Sequence, residues 1–175
     1  MSDAVKPPLG SSGARLLWVS VLVIIVDQLT KLWIERTLQL GDSRDVLPVL
    51  EIVRAHNPGA AFSFLAQAGG WQRWAFSALA LGVSIGLIYW LRNIVRAAQP
   101  LLAFGLTLIL GGAIGNVIDR FEHGYVVDFI YAHWGPHYFP AFNVADSAIS
   151  IGAVLVVLDA LLDWRREQAR KPGPE

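Results

Sequence analysis

Four apolar runs dominate this chain, and each is long enough to cross a membrane. Leu16–Ile34 covers roughly 28 Å as a helix, about the thickness of a bilayer's hydrocarbon core. Trp74–Trp90, Leu101–Ile118 and Ala145–Leu162 are similar in length. The 175 residues are 54% hydrophobic and only 16% charged, with a mean hydropathy of +0.47. Soluble domains carry charge on roughly a quarter of their residues. The expected architecture is therefore an all-α membrane protein with four transmembrane helices, of a length suited to one domain spanning 1–175. Tails at 1–13 and 168–175, rich in Pro, Gly and Ser or in charge, read as disordered.

Several local signals support these spans. Pro100 suits the first turn of the third helix, where its missing N–H costs little. All seven tryptophans lie near predicted span ends, where amphipathic rings prefer to sit. Lys6 and Arg15 precede the first run, as in a secretory signal. Asp27 and Lys31 follow it instead of a small-residue cleavage site, so a retained helix is expected. The N-terminal tail, the 91–100 connection and the C-terminal tail hold eight Lys and Arg residues. The longer loops, 35–73 and 119–144, hold only Arg36, Arg44, Arg54, Arg73 and Arg120. Positive residues favour the cytoplasm, which places both termini inside and both long loops outside. In those loops, Val49–Val53 and Ala61–Leu65 flank the turn-forming run His56-Asn57-Pro58-Gly59 and read as a hairpin. Gly124–Phe129 reads as a further extended piece. A small β platform on the outer membrane surface follows.

The chemistry lies in polar residues placed where they are expensive. A carboxylate at mid-span costs roughly 2.5–3.5 kcal/mol. Asp27 has Lys31 four residues on, on the same helical face, so the two can pair. The third run ends in Gly111-Gly112-Ala113-Ile114-Gly115-Asn116-Val117-Ile118-Asp119-Arg120. Its Gly111–Gly115 step permits close helix approach, and Asn116 and Arg120 share a face. Asp119 is placed to neutralise a nearby cation. Asp128 is embedded in Val126-Val127-Asp128-Phe129-Ile130 and needs a partner. Asp146 opens the fourth helix, where an acid also serves as an ordinary cap. The topology brings all these polar residues to one depth. Two aspartates at close range share one proton, so one acts as base on a water while the other polarises a carbonyl.

Composition excludes some chemistry. There is no cysteine, which removes disulfides, thiolate metal sites and cysteine nucleophiles, and zero net charge gives no field for nucleic acid. His133 and His137 have an i, i+4 spacing, but Gly135 and Pro136 between them argue against a helical zinc site, so no metal or cofactor is expected. A Ser–Lys peptidase using Ser147 or Ser63 with Lys31 would leave Asp128 unexplained. A proton or cation transporter relaying through Asp27, Lys31 and Asp119 is the non-enzymatic alternative. Its only inner-side acids near a span are Asp159 and Asp163, which read as a solvated helix end.

Five ordered stretches resemble the lipoprotein signal peptidase family, signal peptidase II. They are Asp27-Gln28-Leu29-Thr30-Lys31, Asn57-Pro58-Gly59-Ala60-Ala61-Phe62-Ser63, the Gly111–Arg120 run, Val126-Val127-Asp128-Phe129, and Phe142-Asn143-Val144-Ala145-Asp146-Ser147. The resemblance implies an aspartic endopeptidase with four helices and an extracytoplasmic β cradle. It implies Asp128 and Asp146 as the catalytic pair. Asn57, Gly59, Asn116, Arg120 and Asn143 are implied around the active site and substrate, and Asp27, Lys31 and Asp119 as structural polar residues. It further implies a prolipoprotein substrate cut before a diacylglyceryl-modified cysteine, lipid contacts in a bacterial inner membrane, and inhibition by globomycin-type cyclic peptides.

Overall fold

The computed structural model describes residues 7–59 and 70–170. A 3-10 turn at Gly13–Leu16 leads into helix α1, Leu17–Thr37. Strands β1, Ser43–Leu47, and β2, Leu50–Asn57, follow. Helices α2, Trp71–Asn93, and α3, Pro100–Glu122, come next. Strands β3, Val126–Trp134, and β4, His137–Tyr138, precede helix α4, Val144–Arg170. The four strands form one antiparallel sheet in sequence order.

All four helices are long and apolar enough to cross a membrane, and each outruns its apolar core at one or both ends. Helix α3 is the central one. Two thirds of its apolar window is buried, against 22–28% for the other three. Glycines let its neighbours approach. Gly111 faces the backbone of Ser20 on α1, and Gly105 and Gly152 pack against each other's carbonyls across α3 and α4. Gly112 lies so close to the Ala145 carbonyl that a side chain there has no room. The other helices turn apolar side chains outward, such as Leu22 and Ile25 on α1, Ile85 on α2 and Val154 on α4. Exposed apolar faces of this extent suit hydrocarbon, with backbone hydrogen bonds kept inside each helix. Every one of the seven tryptophans is exposed, as an interfacial belt requires. Pro100 occupies the first turn of α3.

Three expectations change. The N-terminal segment is not free from residue 7 onward. Gly13 donates its N–H to the Ile94 carbonyl and Arg96 donates to Ser11, so backbone pairing ties 11–13 to the α2–α3 connection. Gln168–Arg170, read as tail, continues α4, because good helix formers extend a helix that is already nucleated. The hairpin is built differently. Strand β2 runs through His56 to Asn57 because β3 lies alongside it, with Asn57 opposite Val126. Pro58, which has no N–H to give a ladder, ends the strand. Its partner on the other side is β1, whose five residues are all exposed and carry no alternating signal. Ala61–Leu65, the other arm of the expected hairpin, lies outside the described residues.

Strand β3 is the deepest. Val126, Val127, Asp128 and Phe129 are all buried, between β2 on one edge and the chain at Phe142 on the other. Helix α1 ends, α3 ends and α4 begins at this sheet. The N-terminal segment, the α2–α3 connection and the end of α4 lie at the opposite end.

Candidate active site

Two linked polar clusters occupy the sheet end of the helix bundle. The first is built on α1. Lys31 and Asp27, one helical turn apart, pair at 2.8 Å, and both are buried. Lys31 also meets Asp119 of α3 at 2.9 Å and donates to the Asn116 Oδ1 at 3.1 Å. An ammonium has three protons, and here each has an acceptor. Asp27 uses its second oxygen to accept the Ala145 N–H of α4 at 2.9 Å. Asp119 accepts the Val127 N–H at 3.0 Å and so fixes the start of β3. Gln28 contributes a link that the sequence reading left without a role. Its amide donates to Asp119 at 2.8 Å and to the Gly115 carbonyl at 3.2 Å. Its place between Asp27 and Lys31 in an apolar helix was the available signal.

The second cluster holds the remaining carboxylates. Asp128, on β3, is 3% exposed and accepts from Asn57 Nδ2 at 3.0 Å and from Asn143 Nδ2 at 2.8 Å. Asp146, on the first turn of α4, accepts from Asn116 Nδ2 at 2.8 Å. Asn143 and Asp146 also form a reciprocal cap. The Asn143 Oδ1 accepts the Asp146 N–H at 2.9 Å, and the Asp146 carboxylate accepts the Asn143 N–H at 3.3 Å. This is a capping box with Asn and Asp in its two positions. The capping role open to Asp146 is therefore real, and it coexists with a carboxylate held beside Asp128 by a shared asparagine.

Fixed donors orient all three amides. Lys31 can only donate, so the oxygen of Asn116 faces it and the Asn116 NH2 faces Asp146. The Asp146 backbone N–H does the same for Asn143. The Gly59 N–H, in a turn with φ of +100°, donates to Asn57 Oδ1 at 3.0 Å and leaves the Asn57 NH2 for Asp128. A side chain at Gly59 would also meet the Phe76 ring. Burial, and next the negative charge of Asp146, push the Asp128 carboxyl up to about 7. Arg120, from the last turn of α3, donates to the Asn116 carbonyl at 3.1 Å. Its Nε is buried with no hydrogen-bond partner among the described residues.

Every expected site residue that the structure describes thus falls in one of two adjoining clusters, joined through Asn116. Ser147 donates to the Asn143 carbonyl at 2.9 Å, away from Lys31, whose protons are committed. Ser63 and the 60–63 part of the second motif lie outside the described residues. His133 and His137 lie on paired strands, and His133 faces Glu51 at 3.6 Å. Asp159, read as part of a solvated helix end, is buried, whereas Asp163 pairs at the surface with Arg166.

Comparison with known proteins gives one family. The family model described as signal peptidase (SPase) II matches residues 19–162. The lipoprotein signal peptidase of Shewanella sp. (strain MR-4) is 50% identical over 157 residues, covering 90% of this chain and 92% of its own length. That of Shewanella baltica (strain OS155 / ATCC BAA-1091) is 50% identical over 164 residues, covering 93% and 94%. A bacterial membrane enzyme solved by the in meso method at 2.3 Å superimposes with a TM-score of 0.76 at 34% identity, covering 93% of this chain and 94% of that one. With the match running from α1 to α4, the chain belongs to the signal peptidase II family and is a membrane peptidase.

Proposed function

We propose that Asp128 and Asp146 form an aspartic dyad that removes signal peptides from diacylglyceryl-modified prolipoproteins, cutting just before the lipidated cysteine. One observation carries the reading. A buried carboxyl raised to about 7 is bridged by Asn143 to a second carboxylate, which also accepts from the Asn116 amide. In the reactive state Asp128 carries the proton of the pair, as its raised pKa favours, and Asp146 receives one from the attacking water. The Asp128 proton goes to the scissile carbonyl oxygen as the water oxygen bonds to its carbon. Collapse of that intermediate breaks the C–N bond: the Asp146 proton passes to the leaving amine while one hydroxyl of the intermediate returns its proton to Asp128, which restores the pair. No covalent enzyme intermediate is required. Asn57, Gly59, Asn116, Arg120 and Asn143 line this centre, and the buried Arg120 Nε has no hydrogen-bond partner among the described residues. Asp27, Lys31 and Asp119 hold the frame.

The membrane setting supports the substrate. An acyl-anchored cysteine keeps its scissile bond near the bilayer surface, the depth at which a dyad between helix ends and sheet would meet it. Anchoring also restricts orientation, which lowers the entropic part of the barrier. We place the enzyme in the bacterial inner membrane with both termini cytoplasmic and the sheet outside, from the Lys and Arg distribution. Globomycin-type cyclic peptides would act by occupying the same centre. Cleavage of a diacylglyceryl-modified prolipoprotein by purified enzyme tests the proposal. Asp128→Asn and Asp146→Asn should each lose about 1,000-fold or more in rate while remaining folded in detergent. Substantial cleavage by either folded variant would sink the dyad.

A further inference from the structure

A cavity lies at the end of the molecule away from the dyad. Leu9, Ala14, Arg15, Leu17, Ile88 and Arg92 line a cavity of about 300 Å³ between the N-terminal segment and the ends of α1 and α2. Its wall is held in place. The Gly13 N–H and Arg96 N–H bonds clamp residues 11–13 to the α2–α3 connection. A side chain at Gly13 would press on Ile94 and the Leu91 carbonyl, so the clamp is tight.

The lining has two chemistries. Arg15 and Arg92 supply two guanidinium groups, and no acid lines the cavity. Neither arginine has an ion pair among the described residues, and the Arg15 guanidinium makes a 3.4 Å bond to the Gly10 carbonyl. Leu17 and Ile88 continue the wall along membrane-spanning helices, and exposed Leu9 adds apolar surface from the clamped segment. The start of α1 contributes the positive end of a helix dipole while the end of α2 opposes it, so the arginines decide the sign. A free phosphate would use the guanidinium groups and leave the apolar wall idle. A phosphate carrying acyl chains uses both, and basic pockets between membrane helices bind such headgroups.

We propose that this cavity is a site for one anionic phospholipid, its phosphate between Arg15 and Arg92 and an acyl chain along Leu17 and Ile88. The lipid braces the N-terminal segment against α2, on the side remote from catalysis. The site is independent of the peptidase chemistry. It does not depend on which leaflet faces the cytoplasm.

Native mass spectrometry of the intact purified protein, titrated with phosphatidylglycerol or phosphatidylcholine in mixed micelles, tests it. The wild type should retain one phosphatidylglycerol with roughly 25-fold preference, about fivefold per basic residue. Arg15→Gln/Arg92→Gln should lose that preference. Arg165→Gln/Arg170→Gln removes the same charge from the same end outside the cavity, and should keep it. Equal preference in the wild type and the cavity variant overturns the proposal. So does loss of preference in the control variant, which would mean diffuse attraction. Inorganic phosphate at millimolar concentration should not displace the lipid; displacement would make the site one for free anion and overturn the lipid assignment.

Discussion

At the scale of single residues, this site is a problem of orienting amides. An asparagine side chain is ambiguous until something fixes its ends. Lys31, the Asp146 N–H and the Gly59 N–H each do so, and all three NH2 groups then point at carboxylates. Removing Lys31 would leave Asp27, Asp119 and Asn116 without their shared donor, which is far worse than replacing the whole cluster. The hydrogen bond from Asn57 favours the ionised form of Asp128 and so opposes the upward push of burial. Losing it raises the carboxyl further. If the protonated form of Asp128 is the active one, cleavage declines as pH rises through about 7. Asn57→Ala should then move that alkaline limb to higher pH. The position of the limb in kcat/KM against pH reads this separately from any loss of amplitude. A limb that stays put, or moves down, would remove Asn57 from the titration.

At the scale of elements, close approach of helices sets the site. Asp146 reaches Asn116 only because α4 starts against α3 at Gly112. A Cβ at Gly112 would clash with the Ala145 carbonyl oxygen and fall 2.8 Å from Ile149 Cγ1, and the first of these is backbone that cannot swing aside. Gly112→Ala should destabilise by about 1–3 kcal/mol and reduce cleavage sharply, since α4 must move with its carboxylate. Gly82→Ala on α2 has nothing within 4 Å and should leave both unchanged or slightly improved. Thermal unfolding in detergent beside the cleavage assay distinguishes the two. Equal tolerance at both positions would mean that α3 and α4 separate without consequence for the site. The GxxxG step was readable in the sequence, but its direction was not. Gly111 and Gly115 face α1, at Ser20 and Asp27, while Gly112 and Gly105 serve α4.

At the scale of the whole molecule, the two ends differ in chemistry. One end carries the sheet and both polar clusters, and the other carries the clamped N-terminal segment and the basic residues around it. The proposed orientation is open to direct measurement because the chain has no cysteine to remove. In spheroplasts, Trp134→Cys should react with a membrane-impermeant maleimide and Arg170→Cys should react only after lysis. Both positions are exposed, so access depends on the side of the membrane. The reverse pattern would invert the protein.

Sequence alone determined the four spans, because hydrocarbon tolerates only long apolar helices with their backbone satisfied internally. It also singled out the acids, since Asp27, Asp119, Asp128 and Asp146 sit among residues that cannot solvate them. It did not show the pinned N-terminal segment or β1, whose structure depends on partners remote in sequence and leaves no periodic trace. Nor did it show that Asp146 both caps α4 and accepts from Asn116, or that Lys31 governs the orientation of Asn116. Those facts are distances between α1, α3, α4 and β3. Hydrogen bonds of about 3 Å are decided by how helices pack, which residue order along one chain does not specify.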